Sequence, residues 1–456
     1  MNDQQSISQK EPIAAIATPS GEGGIAVIRI SGREAIKLTN TIFSGANLTE
    51  KPSHTLHYGI IQRNGNRIDD VLVSLFKAPK SYTGEEIVEI SCHGGVLNTQ
   101  LVLETVLSAG ARAAEPGEFT QRAFLNGKLD LSQAEAVADL IHARSKKAAE
   151  ASRQQLDGKL GSHIKTFRQQ IIYATALVEL ELDFIEEDVE FASRDQLRKL
   201  LTDLDSEINM LLATYETGRL VKNGVRTVFA GAPNAGKSTL LNTLMGKERA
   251  IVSDIAGTTR DVIDADWSFD GLLFTLTDTA GLRVTEDLIE AEGVRRSHKA
   301  AEEADLILLL IDLTDEVQRD ETYISSFRKK YAHKSVLVVG TKSDLNNTPS
   351  TGIDHIISNK TESGIEDLKR LMKEAVLRNQ EIDTSSLLVT SSRHRDALEK
   401  TREHIHQALH ALDTGITGDF ISIDLRAALH QLGLITGEIT TEDLLDSIFS
   451  RFCIGK

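Results

Sequence analysis

Directly after a β-type run, TVFAG, and before a helical run, STLLNTLMG, stands Gly231–Ser238, whose sequence GAPNAGKS fits G-x-x-x-x-G-K-[ST]. A strand, tight loop and helix in that order point successive backbone N–H groups, and the positive end of a helix dipole, at one spot, which suits phosphates. Lys237 then reaches β and γ oxygens, and Ser238 is placed to ligate Mg²⁺. Further strand candidates follow at Leu272–Thr277, Leu306–Ile311, Val336–Val339 and His355–Ser358, with helical patterns between them and a two-residue hairpin turn expected at Asp270–Gly271. Such alternation predicts a mainly parallel sheet with helices on both faces, over residues 221–377.

Three more short motifs fall at strand ends in that segment. Asp278-Thr279-Ala280-Gly281 is the D-x-x-G that brings Mg²⁺ through Asp and a γ-phosphate contact through the Gly N–H. In Thr341-Lys342-Ser343-Asp344, Asp344 can accept hydrogen bonds from N1 and N2 of guanine, a pair adenine lacks. Ser358-Asn359-Lys360 closes over the base. Together they imply a Ras-like, GTP-binding α/β domain. Thr341 departs from the usual N-K-x-D, where Asn braces neighbouring loops and contacts the purine N7, so weaker nucleotide affinity is expected with guanine selectivity kept.

The hydrolytic parts also depart from the Ras pattern. Leu282 stands where a water-orienting Gln is usual, leaving Glu286, Asp287, Glu290 and Glu292 as candidate carboxylates. No arginine finger is evident. Asn234 and the segment SDIAGTTRD, Ser253–Asp261, offer oxygens that can hold a monovalent cation in its place, and Thr258 or Thr259 is the candidate switch ligand of Mg²⁺.

Outside this segment two textures appear. Up to residue 119, short β-type runs (Gly24–Ile30, Val71–Phe76, Ile87–Ser91) alternate with turns and one helix, Thr99–Ser108, which reads as α+β. Residues 120–220 contain no proline and carry apolar residues at helical spacing, with Ser132 and Glu135 as a capping box for the first long helix. Helical texture returns over 378–456. The simplest organisation is an α/β domain inserted into one all-α domain, since two separate helical pieces would each bury little apolar surface. At 456 residues the chain has length for several cores. Cys92 and Cys453 have neither metal nor disulfide spacing, the longest apolar run is far too short to span a bilayer, and the polar N-terminus has no apolar signal core, so a cytoplasmic protein is expected. The net charge of −16 disfavours general nucleic-acid affinity and leaves any RNA contact to a local basic patch or a partner.

The segments ATPSGEGGIAVIRISG, SYTGEE, HGG, EPGEFTQRAFLNGKLDLSQAEAVADLI, GAPNAGKS, IAGTTRD and DTAGLR, with the ending LGLITGEITTEDLLDSIFSRFCIGK, closely resemble the MnmE (TrmE) family of bacterial tRNA-modification GTPases over essentially the whole chain. The resemblance implies an N-terminal domain that binds a tetrahydrofolate derivative and dimerises, with Arg29, Glu85, Lys128 and Lys456 at the folate site. It implies GTP contacts from Asn234, Ala235, Gly236, Lys237, Ser238 and Thr239, from Ser253, Ile255, Thr258 and Thr259, and from the three motifs above. Mg²⁺ falls to Ser238 and Thr259, and K⁺ to Asn234, Ser253, Ile255 and Thr258. Glu290 is the implied catalytic carboxylate, beside Asn234 and Lys237. Cys453 is implicated in tRNA modification, although a free Cys between Phe452 and Ile454 also suits a small buried hydrophobe. A homodimer is implied, working with the flavoprotein MnmG, which contributes FAD and NADH chemistry to modify the wobble uridine of tRNA. A GTP-dependent ribosome-assembly or regulatory switch protein is the alternative.

Overall fold

The computed structural model describes residues 11–183, 194–247, 264–278, 299–346, 351–377, 386–415 and 417–456. They form two compact units, Met1–Ala138 with Gln155–Ser193 and Ala411–Lys456, and Asp139–Gln154 with Arg194–His410. No helix among the described residues is long and apolar enough to cross a membrane.

The first unit is built on seven strands, β1 (Ile13–Ile16), β2 (Ile25–Ser31), β3 (Phe43–Ser44), β4 (Thr55–Arg63), β5 (Asn66–Phe76), β6 (Ile87–His93) and β7 (Arg112–Ala113), in the order β3-β4-β5-β6-β2-β1-β7. Alternate residues on one face, among them Ile28, Ile30, Val71, Val73, Leu75, Val88 and Ile90, join Val102 and Val106 of the helix Val96–Ser108 in one core. Fully burying a side chain of this kind contributes about 1.5–3 kcal/mol. On the opposite face Ile13 and Ala15 pack with Phe119. That second layer aims Arg29, which pairs in register with both Ala15 and Glu89, at the aromatic rings of Tyr82 and Phe119.

After β7 the chain turns helical at Glu118. The helix Leu131–His142 is capped two residues earlier than the sequence pattern suggested. Asp130 Oδ1 accepts from Gln133 N at 2.8 Å while Gln133 Oε1 accepts from Asp130 N at 2.9 Å, so the reciprocal box is Asp130–Gln133 and not Ser132–Glu135. Ser132 lies inside the helix and donates its hydroxyl to Asp130. The long helix Lys159–Asp183 packs along Gly418–Thr436, and Arg168 donates to Leu429 O at 2.7 Å. From there the chain returns through the helix Glu442–Phe449, whose Ile448 and Phe449 pack with Leu131 and Ala134. A β-carbon on Gly455 would lie 2.3 Å from Ile16 O. Only glycine lets the last residues lie this close to β1, which brings Lys456 to the Arg29–Glu89 pair.

The second unit carries β8 (Val225–Ala230), β9 (Asp264–Phe269), β10 (Leu272–Asp278), β11 (Leu306–Asp312), β12 (Ser335–Thr341) and β13 (His355–Ile356) in the order β13-β12-β11-β8-β10-β9. All pairings are parallel except β9 with β10. Asp270 (φ 48) and Gly271 (φ 79) form the expected tight hairpin turn, both in the left-handed region. The fully buried β11 reads as an unbroken apolar run because helices cover both faces of a parallel sheet. Helix Tyr215–Asn223 sends Leu220 and Val221 into the same core as Leu306, Leu308 and Leu310, and Arg219 of that helix pairs with Asp305 at 2.8 Å. Helix Lys146–Leu156 adds Ala151 to it.

Candidate functional sites

At the C-terminal edge of the parallel strands, β8 runs into the phosphate loop and then the helix Lys237–Lys247. The loop is shaped by its backbone: Gly231 (φ 133) passes so close to β11 that a β-carbon would sit 2.4 Å from Leu310 O, and Asn234 (φ 66) and Gly236 (φ 91) turn left-handed. Lys237 is buried and its Nζ donates to Gly231 O and Ala232 O, both at 2.8 Å, holding a positive charge over the loop. Ala235 is fully buried, while Asn234, Ser238 and Thr239 are exposed on the loop and first helical turn.

The base-recognition loops converge on the same edge. Asp344 is held by Ser358, whose Oγ donates to Oδ1 at 2.7 Å, while Ser358 Oγ also accepts from Thr361 N. That leaves the second oxygen of Asp344 for a ligand. Lys342 takes a left-handed backbone (φ 60) and its ammonium pairs with Asp312. Burial alone would raise the Asp312 carboxyl, but bonds from Lys342 and Thr314 outweigh it and hold the group below the usual aspartate value. Thr341 is buried, Asn359 half-buried and Lys360 exposed. Asp278 ends β10 opposite Phe229 of β8. Thr279, Ala280, Gly281, Ser253, Ile255, Thr258, Thr259 and Glu290 lie outside the described residues.

In the first unit Arg29 and Lys456, far apart in the sequence, come together. Arg29 brings two nitrogens to one oxygen, Glu89 Oε1, at 2.9 Å from Nε and 2.8 Å from Nη2, and lies near Tyr82 and Phe119 with its guanidinium 5.7 and 5.9 Å from the ring centres. Burial and then the charge of Arg29 hold the Lys456 ammonium below the usual lysine value. Glu85 accepts from Ser31 Oγ at 2.9 Å and lies 3.3 Å from Arg122 Nη1, and Arg122 donates to Glu118 Oε1 at 2.9 Å. Lys128 donates to Pro79 O at 3.2 Å along the loop that carries Tyr82 and Glu85. Cys453 is exposed, so the reading of it as a buried hydrophobe is corrected: Phe452 fills the core position beside it, and Cys92 is the buried cysteine.

Sequence reasoning missed Glu89, Tyr82, Glu118 and Arg122 in this cluster. A signal existed in the charged Glu89 between apolar neighbours in IVEIS, and in the i, i+4 pair Glu118–Arg122.

A parallel sheet with a lysine-bearing phosphate loop and a clamped Asp344, joined to helical segments and a second sheet unit, defines a multidomain P-loop GTPase. The family model described as MnmE helical domain matches residues 131–453, and that of the GTP-binding protein TrmE N-terminus matches residues 12–128. A tRNA modification GTPase MnmE of Salinibacter ruber is 46% identical over 461 residues, covering 99% of this chain and 100% of the relative, and that of Cytophaga hutchinsonii is 46% identical over 453 residues, 98% of each. Among solved structures, the G domain of the T. maritima FeoB iron transporter is 25% identical over 33% of this chain and 98% of its own, with a TM-score of 0.26, and Aquifex aeolicus Era bound to GDP and aluminium fluoride is 25% identical over 40% and 66%, also at 0.26. The chain belongs to the MnmE family of tRNA modification GTPases.

Proposed function

We propose that this chain is a K⁺-stimulated GTP hydrolase that works as a homodimer with the flavoprotein MnmG. Together they use a folate one-carbon unit to install an aminomethyl or carboxymethylaminomethyl group at C5 of the tRNA wobble uridine. The observation that carries the GTP reading is the clamp on Asp344: Ser358 fixes one carboxylate oxygen at 2.7 Å, and a fixed carboxylate is what the N1–H and N2–H₂ edge of guanine requires. Family membership favours tRNA modification over ribosome assembly.

The donor sets suit the implied groups. Lys237 and the loop N–H groups fit the phosphates, and Ser238, exposed at the start of its helix, fits one Mg²⁺ position. The exposed Asn234 fits one K⁺ position, a cation that would supply positive charge near the β and γ phosphates. At the other site Arg29 pairs with Glu89 and the Lys456 ammonium feels the charge of both, and an anionic, flat-ringed folate fits these two cations beside Tyr82. When bound, the folate supplies the one-carbon unit, and FAD and NADH on the partner supply electrons. This chain's residues bind and orient, with exposed Cys453 carried beside Lys456 on the same tail.

The test is cation exchange. Hydrolysis is expected to be at least about tenfold faster in K⁺ than in Na⁺, and Asn234→Ala to lose most of that stimulation while GTP binding stays. Equal rates in the two salts would remove K⁺ from the reading.

A further inference from the structure

Thr341 is fully buried, and its one hydroxyl proton faces two backbone carbonyls, Ala235 O at 2.9 Å and Ile311 O at 3.2 Å. It braces the phosphate loop against β11 and has no amide to offer a ligand. The last base-recognition loop places a carboxamide beside the same glycine. A β-carbon on Gly236 would lie 3.4 Å from Asn359 Nδ2 and 3.9 Å from Thr341 Cβ. Asn359 Oδ1 is buried and meets no hydrogen-bond partner among the described residues, a condition that burial makes unfavourable until a partner arrives.

We propose that Asn359 supplies, from the loop after β13, the side-chain amide that Thr341 lacks, and so acts as a guanine-binding residue. The proposal rests on the GTP reading of the site. Guanine presents N1–H and N2–H₂ donors towards Asp344 and the acceptors O6 and N7 along the adjoining edge. A half-turn of the carboxamide exchanges its two ends without changing its shape, so Nδ2 meets O6 or N7 and Oδ1 faces Gly236. The two loops have divided one asparagine's work: Thr341 keeps the bracing and Asn359 takes the base.

The test is a double-mutant cycle on the full chain, read as the GDP dissociation constant by calorimetry, with apo melting temperature as the control for folding. Asn359→Ala is expected to weaken GDP about tenfold or more, and Asn359→Asp, which keeps the size but not the donor, at least as much. Adding Thr341→Asn to Asn359→Ala is expected to recover most of the loss. A parent chain that does not bind GDP would overturn the GTP reading itself. A parent that binds, with Asn359→Ala within about twofold of it or with no recovery from Thr341→Asn, would overturn this proposal alone.

Discussion

In the reading proposed above, one side chain, Asp344, sets nucleotide choice. Its carboxylate is acceptor-only and fixed by Ser358, so it matches two adjacent donors. Asp344→Asn replaces one acceptor with a donor, which opposes the guanine 2-amino group and matches the 2-oxo group of xanthine. The variant is expected to weaken GDP about a hundredfold and to bind xanthosine diphosphate better than GDP in competition titrations. Unchanged preference for GDP would place the base elsewhere. The strand, loop and helix around the phosphate loop were legible in the sequence, and the roles proposed for Asp344 and the Ser358–Lys360 loop rest likewise on residue type and spacing. The clamp from Ser358, the Lys342–Asp312 pair and the role proposed for Asn359 were not legible, because they arise from loops that only the sheet order brings side by side.

Elements were legible where burial imposes a period. β8, β10, β11 and β12 stood out as apolar runs, and a helix was expected over Thr99–Ser108 where the structure has Val96–Ser108. β4 did not, although it spans Thr55–Arg63. Its exposed positions include the apolar Leu56 and Tyr58, and at Gly59 a β-carbon would meet the Phe43 ring at 2.3 Å, so a neighbouring strand's ring fills the space where an inward side chain would show the pattern. The helix Glu118–Leu125 is tied by Glu118, which accepts from both Arg112 and Arg122. Burial would raise the Glu118 carboxyl, but Arg112, Glu115 N and Arg122 outweigh it and hold it below its usual value of 4.5. A carboxyl lowered in the fold stabilises fully above its unfolded value, and that stability is lost as pH falls through the folded value. Glu118→Gln leaves Arg122, with only 4% of its side chain exposed, short of charge, and is expected to cost about 3 kcal/mol near neutrality. In urea unfolding the gap between parent and variant is expected to shrink on acidification below 4.5, and a gap independent of pH would assign the loss to packing instead.

At the scale of the whole molecule, an α/β sheet with helical segments before and after it was readable from the change of period near Asn223–Gly224 and again after Leu377. How those helices sort was not. Asp139–Gln154 and Arg194–His410 hold together with the α/β sheet, whereas Gln155–Ser193 and Ala411–Lys456 hold with the N-terminal sheet. Helical periodicity reports that a face is buried and not which partner buries it. Within the second unit the chain enters the sheet through Tyr215–Asn223 and leaves it after Leu377. A β-carbon on Gly218 would lie 2.3 Å from Val389 O, and Thr214 Oγ1 accepts from Val389 N at 3.0 Å, so the incoming and outgoing segments are fastened to each other. A change at the nucleotide loops can therefore be carried by the sheet and these helices as one body.

If that motion drives the modification, hydrolysis must be needed and GTP binding alone must not suffice. With Glu290 proposed as the carboxylate that orients water, Glu290→Ala isolates the chemical step, because orienting water is a transition-state effect that leaves nucleotide affinity in place. The decisive measurement is mass analysis of wobble nucleosides in cells whose only copy is Glu290→Ala, with GTP binding, folate binding and partner capture checked on the purified variant. Loss of the modified uridine, with all three bindings kept, is the expected result, and full modification by that variant would contradict the coupling of hydrolysis to tRNA modification.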